Sequence, residues 1–204
     1  MGKVVVVTGA SRGIGYGIGK ELATRMPGAA VYLTTRMRSL ENLESNLQKE
    51  IGTAAENTKF RYMDLKDKKS INKFVDSVKR KHKRLDIMIN NAAIYHKPPT
   101  YVWMSDDSHS LRVKEVEEIV KVNYHGLKQI TEAFLPVMAE GSSIVNMSSH
   151  LSEIDSLNCG SDTTGVCSFV AGFNDPGLTM ASLDKLMSAY IQSIQVGVII
   201  LYLV

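Results

Sequence analysis

Residues 4–19 read Val-Val-Val-Val-Thr-Gly-Ala-Ser-Arg-Gly-Ile-Gly-Tyr-Gly-Ile-Gly, and the fold turns on how this stretch is parsed. Val4–Val7 is apolar without alternation, the pattern of a strand buried on both faces in a parallel sheet. It stops at Thr8-Gly9, and glycines stand at 9, 13, 15, 17 and 19. Ile14, Ile18, Leu22 and Met26 then recur every four residues, which predicts a helix. Strand, Gly-rich turn and helix together make an anion cradle: glycine lets the backbone approach a phosphate, and the helix start offers unpaired N–H groups at a positive dipole end.

Two generic phosphate motifs fail here. Walker A needs a glycine five residues before Gly19-Lys20, where Ile14 stands. G-x-G-x-x-G begun at Gly13 would place its third glycine at Ile18. What stands from Thr8 to Gly15 is T-G-x-x-x-G-x-G. A Gly-rich turn with no ligand is the plain alternative.

Further along, strand and helix signals alternate, which predicts an α/β, doubly wound parallel sheet in a single domain. The first helix stops at Pro27-Gly28. Strands are expected at Ala30–Thr34, Thr58–Met63, Leu85–Ile89 and Ser143–Met147. Ser39 and Ser70 are candidate helix caps, and residues 94–111, with Pro98-Pro99 and Asp106-Asp107, read as a loop. A long helical pattern runs through Val116, Val120, Leu127, Ile130 and Phe134 to a break at Gly141. Gly9, Arg36, Asp64, Asn91 and Ser149 each fall just past a predicted strand, on the edge where open parallel sheets bind ligands.

At 204 residues the chain can bury a sizeable core, and 44% hydrophobic with 22% charged residues describes a globular protein. A net charge of +3 does not imply a nucleic-acid partner. The run Lys79–Arg84 reads as a polyanion patch or, more simply, as cations at the end of a helix carrying Ile71, Phe74, Val75 and Val78. Cys159, Cys167 and five histidines show no metal-ligand spacing, so no metal is expected and the thiols suit the cytoplasm. The apolar end, Val196–Val204, is far below the ~20 residues that span a bilayer.

The Thr8–Gly15 motif resembles the cofactor motif of the short-chain dehydrogenase/reductase family, and Asn90-Asn91-Ala92-Ala93 resembles that family's Asn-Asn-Ala-Gly. The resemblance covers roughly residues 3–194 and is strongest to the carbonyl reductase subgroup. It implies reduction of ketones, aldehydes or quinones by a monomer using NADPH. Cofactor contacts are implied for Gly9, Ser11, Arg12, Gly13, Ile14, Gly15, Arg36, Asp64, Leu65, Asn91 and Ala92. Asn91 serves equally as a tie between adjacent strands. Arg12 and Arg36, with no acid before Glu41, suit the 2′-phosphate of NADPH unless they are only solvated surface arginines. By the same resemblance Ser149 is the catalytic serine, holding the substrate carbonyl oxygen as charge develops, with Ser148 as the alternative. Asn123 likewise resembles the family's helical asparagine, which implies that it holds a water for proton relay.

One part of the pattern is absent. The family's Tyr-x-x-x-Lys pair supplies the general acid and should follow Ser149. The spacing occurs at Tyr16/Lys20, Tyr62/Lys66 and Tyr124/Lys128, all before Ser149, and all three read as structural. Three regions are therefore expected: a dinucleotide-binding core at 1–149, a carbonyl-reductase-type insertion with a helical end at 150–194, and a non-matching apolar tail at 195–204. The family's last two strands would be missing. The alternative functions are a catalytically impaired NADPH-binding form, or an interaction protein that uses its apolar end.

Overall fold

The computed structural model describes residues 2–95, 106–149 and 171–195. Pro98-Pro99, Cys159, Cys167, most of the expected insertion and the tail Val196–Val204 lie outside the described residues. The chain divides into two compact units, one of residues 1–93 and 122–147, the other of residues 94–121 and 148–204.

The first unit is a sheet of five parallel strands: β1 Val4–Val7, β2 Ala30–Thr35, β3 Thr58–Tyr62, β4 Leu85–Asn90 and β5 Met138–Asn146, in the order β3-β2-β1-β4-β5. β1 is central, and all four of its valines are buried, as the unalternating run predicts. Successive residues serve opposite faces. Val5 and Val7 join Val31, Leu33 and Phe60 in the core covered by helices α1 Gly13–Arg25 and α2 Glu41–Ile51. On the other face Tyr32 meets Phe74 of α3 (Lys68–His82) edge-on, and Phe74 meets Phe134 of α5 (Leu127–Phe134). Fully burying a side chain of this size contributes about 1.5–3 kcal/mol, so both faces of the sheet are held by the helices packed on them.

Several local expectations are corrected. Ser39 does not cap α2: Leu40 occupies the cap without a side-chain bond, and Glu41 and Glu44 complement the helix dipole instead. Ser70 lies inside α3, where its Oγ accepts from the Asp64 N–H at 3.0 Å, while Asp67 caps α3 through Lys69 N–H. Residues 106–111 are helical, because α4 spans Asp106–Ile119 and its aspartates suit a first turn. The long helical pattern is interrupted by a π-helix, Val120–Gly126. β5 begins at Met138 rather than Ser143; Gly141, at φ +70°, lies within it where the pairing with β4 shifts register. The basic run does end α3, with Lys83 as its left-handed cap.

Among the described residues the sheet ends at β5. A central parallel strand is normally covered on both faces. Ile144 and Val145 of β5, and Met147 just after it, are 36%, 44% and 41% exposed, so this edge strand is less covered than β1.

The second unit contains α4, Ser148, Ser149 and a helix α6 at Met180–Gln195, which packs on α4. α6 starts with a reciprocal capping box: Ser182 N–H donates to Thr179 Oγ1 at 3.1 Å and Thr179 N–H to Ser182 Oγ at 2.8 Å.

Candidate active site

In a parallel sheet every strand ends on the same edge, so the turns after β1, β2, β3 and β4 gather there. Thr8 organises that edge. Its side chain is buried, and its Oγ1 accepts the N–H of Asn91 at 3.0 Å and of Ala92 at 2.9 Å. The Asn91 side chain returns the contact, donating from Nδ2 to the carbonyls of Thr8 at 3.0 Å and Gly9 at 3.1 Å. The alternative of Asn91 as a strand tie is therefore observed. A side chain on Gly9, held at φ +66°, would come within 2.7 Å of Ala92 Cα. One on Gly15 would collide with the Asn91 amide and lie 2.8 Å from the Gly9 carbonyl. These glycines permit the turn after β1 to sit on the turn after β4. Ala93, where the resembling motif has glycine, has no positive φ, so its methyl causes no backbone strain.

The start of α1 fits an anion. Its cap, Arg12, makes no side-chain capping bond, and the first turn contains no acid. The bond from Tyr16 N–H to the Arg12 carbonyl is long at 3.4 Å, and the N–H groups that precede it in the first turn have no intrahelical acceptor. Gly13 sits in open space at φ +60°, Ile14 is 67% exposed, and Ser11 is half-buried. Arg36 follows β2 and is exposed; no described residue pairs with it or with Arg12. After β3, half-buried Asp64 folds back to accept Lys66 N–H at 2.9 Å, and Leu65 is buried.

Asn123 lies in the π-helix, half-buried. The extra residue of a π turn is common at functional sites. It is anchored by Gly126, where a side chain would meet Leu65 Cβ at 2.7 Å. The π turn left only one trace in the sequence, an asparagine in the middle of a helical pattern. Sequence reading missed it, as it missed the Thr8 hydroxyl. Ser149 follows β5 and is half-buried within the second unit.

Tyr16/Lys20 is a structural clip. Tyr16 hydroxyl donates to Glu50 Oε1 at 2.9 Å, and Lys20 Nζ pairs with Glu50 Oε2 at 2.9 Å. Burial, then the hydrogen bond and charge of Glu50, push the Tyr16 pKa up to about 12. A general acid near neutral pH needs the opposite shift. Tyr62 lies under Arg38. Tyr190 of α6 is 1% exposed.

Among the described residues no three His, Cys, Asp or Glu side chains gather as a metal site, and no helix is long and apolar enough to cross a membrane.

The model of the short chain dehydrogenase family matches residues 3–160. The (+)-neomenthol dehydrogenase of Arabidopsis thaliana is 34% identical over 176 residues, taking in 76% of this chain and 56% of that protein. Carbonyl reductase [NADPH] 3 of Homo sapiens is 27% identical over 190 residues, with 93% and 62% covered. The solved structure of menthone neomenthol reductase from Mentha piperita superposes with a TM-score of 0.80 at 25% identity, covering 97% of this chain and 75% of that one. The chain thus spans about 56–62% of the length of these curated relatives.

Proposed function

Because the chain belongs to the short-chain dehydrogenase family, we propose that it is an oxidoreductase that binds NADPH and reduces small carbonyl compounds by hydride transfer. The observation that carries the cofactor reading is the uncapped, acid-free start of α1 beside two exposed arginines, Arg12 and Arg36, with no acid at the end of β2. Main-chain N–H groups there would hold the pyrophosphate. The two guanidinium groups would hold the 2′-phosphate, which NADH lacks. When bound, the cofactor supplies the hydride. Ser149 would donate a hydrogen bond to the carbonyl oxygen as charge grows, and Asn123 would hold a relay water. Two relatives support a carbonyl substrate by their names, carbonyl reductase [NADPH] 3 and menthone neomenthol reductase. A monomer in the cytoplasm, without nucleic-acid or membrane partners, completes the reading.

A second reading has its own observation. Residues 150–204 contain no Tyr-x-x-x-Lys, and the Tyr16/Lys20 copy is committed to Glu50. Loss of a general acid costs about 10²–10⁴-fold in rate. The chain would then bind NADPH with little turnover. Fluorescence titration with NADPH and NADH tests the first reading, which fails if NADH binds more tightly. On the second reading menadione is reduced at rates near background; brisk turnover abolished by Ser149→Ala would overturn that reading and support the first.

A further inference from the structure

The turn after β2 holds three residues with different fates. Thr35, the buried last residue of β2, accepts Met37 N–H at its hydroxyl, 3.1 Å away. Arg38 lays its guanidinium over the Tyr62 ring, 4.6 Å from the centroid, with Nη2 3.5 Å from the Tyr62 hydroxyl. Thr35 and Tyr62 are register partners at the ends of β2 and β3. The turn is therefore pinned on both sides of one pair of strand positions, and the residue displayed between the pins is Arg36, exposed and paired with no described residue.

We propose that Arg38 is a positioning residue and not a phosphate ligand: its stacking on Tyr62 orders the turn so that Arg36 meets the 2′-phosphate of NADPH. The inference rests on the NADPH reading above. A planar guanidinium spends its face on an aromatic ring readily, and that contact leaves Arg38 held in place. A turn ordered in advance binds without the entropic cost of ordering it afterwards. An exposed cation–π contact of this kind corresponds to about a two- to fivefold effect on affinity.

Isothermal titration of the full chain with NADPH and with NADH tests this. Arg36→Ala is expected to lower NADPH affinity by roughly tenfold or more, the scale of a hydrogen bond to a charged group, and to spare NADH. Tyr62→Leu is expected to lower NADPH affinity about two- to fivefold, again sparing NADH, while Tyr62→Phe, which keeps the ring face, stays near wild type. In the Arg36→Ala background Tyr62→Leu should change nothing, because the two act through one contact. Arg38→Met is read the same way as Tyr62→Leu and serves if the leucine variant does not fold. An equal loss for both cofactors, or a loss that persists without Arg36, overturns the positioning role. If Arg36→Ala lowers the NADPH-to-NADH ratio and Tyr62→Leu and Arg38→Met do not, the positioning role alone falls. If Arg36→Ala leaves the ratio unchanged, the NADPH reading falls and takes the positioning role with it.

Discussion

Replacing Thr8 with valine removes one oxygen and almost nothing else. Valine has the same branched shape, so strand preference and χ1 restriction are retained. The lost oxygen accepts two N–H groups, from Asn91 at 3.0 Å and Ala92 at 2.9 Å. Stranding a buried donor costs about 1–3 kcal/mol. Thr8 is buried but Asn91 and Ala92 are half-buried, so each donor belongs at the low end. Together they place the loss at about 2–3 kcal/mol. Thr8→Ser keeps the acceptor and deletes one methyl, a loss of about 0.8 kcal/mol. Urea unfolding of the three proteins, with the slope unchanged, reads both values. Because the Asn91 amide also holds the Thr8 and Gly9 carbonyls, the valine variant should bind NADPH more weakly than the serine variant. A Thr8→Val stability within about 0.5 kcal/mol of wild type, the range of an ordinary surface change, would refute the argument. So would a serine variant as unstable as the valine one.

Two other outcomes follow from the charged groups. Burial pushes the Asp86 carboxyl up, but Arg84, the Val4 N–H (2.8 Å to Oδ2) and the charges of Arg84 and Lys3 together hold it below its ordinary 3.8. A depressed folded pKa stabilises above the unfolded pKa, and that stability is lost as pH falls through the folded value. The stability gap between wild type and Asp86→Asn should therefore be full at pH 5–7 and shrink from about pH 4 downward; a gap independent of pH sinks the assignment. Tyr16→Phe removes an exposed-side clip from Glu50, so it should cost no more than about 1.5 kcal/mol and leave carbonyl turnover unchanged. A hundredfold loss of turnover would make Tyr16 the proton donor after all.

How far the sequence could be read depended on range. β1, the Gly turn and α1 were legible because each is local: four valines, then glycines, then a four-residue apolar stripe. β5 was read too short because Met138–Gly141 shows no strand pattern; it becomes strand only by pairing with β4 around a register shift. Ser70 looked like a cap because serines cap helices, yet Asp67, three residues before it, was as good a candidate, and the turn after β3 claimed the Ser70 hydroxyl. The π turn at Val120–Gly126 was hidden because side-chain spacing through one extra residue still looks helical. For the site, the rim positions were legible from strand ends, whereas the tie that Asn91 makes to the turn after β1 showed only in where its amide points.

By itself the sequence determined the β1 strand, the glycine turn, the order of elements and the lack of a Tyr-x-x-x-Lys spacing within residues 150–204, because these depend on residue type at short separation. Tertiary structure decided which polar atoms meet. Thr8 and Asn91 are 83 residues apart yet share hydrogen bonds. Tyr16 and Lys20 carry a catalytic spacing but are turned onto Glu50, 30 residues beyond Lys20. A spacing motif specifies only which side chains share a helix face. What that face meets is set by sheet order and helix packing, and here it is a carboxylate and not a substrate.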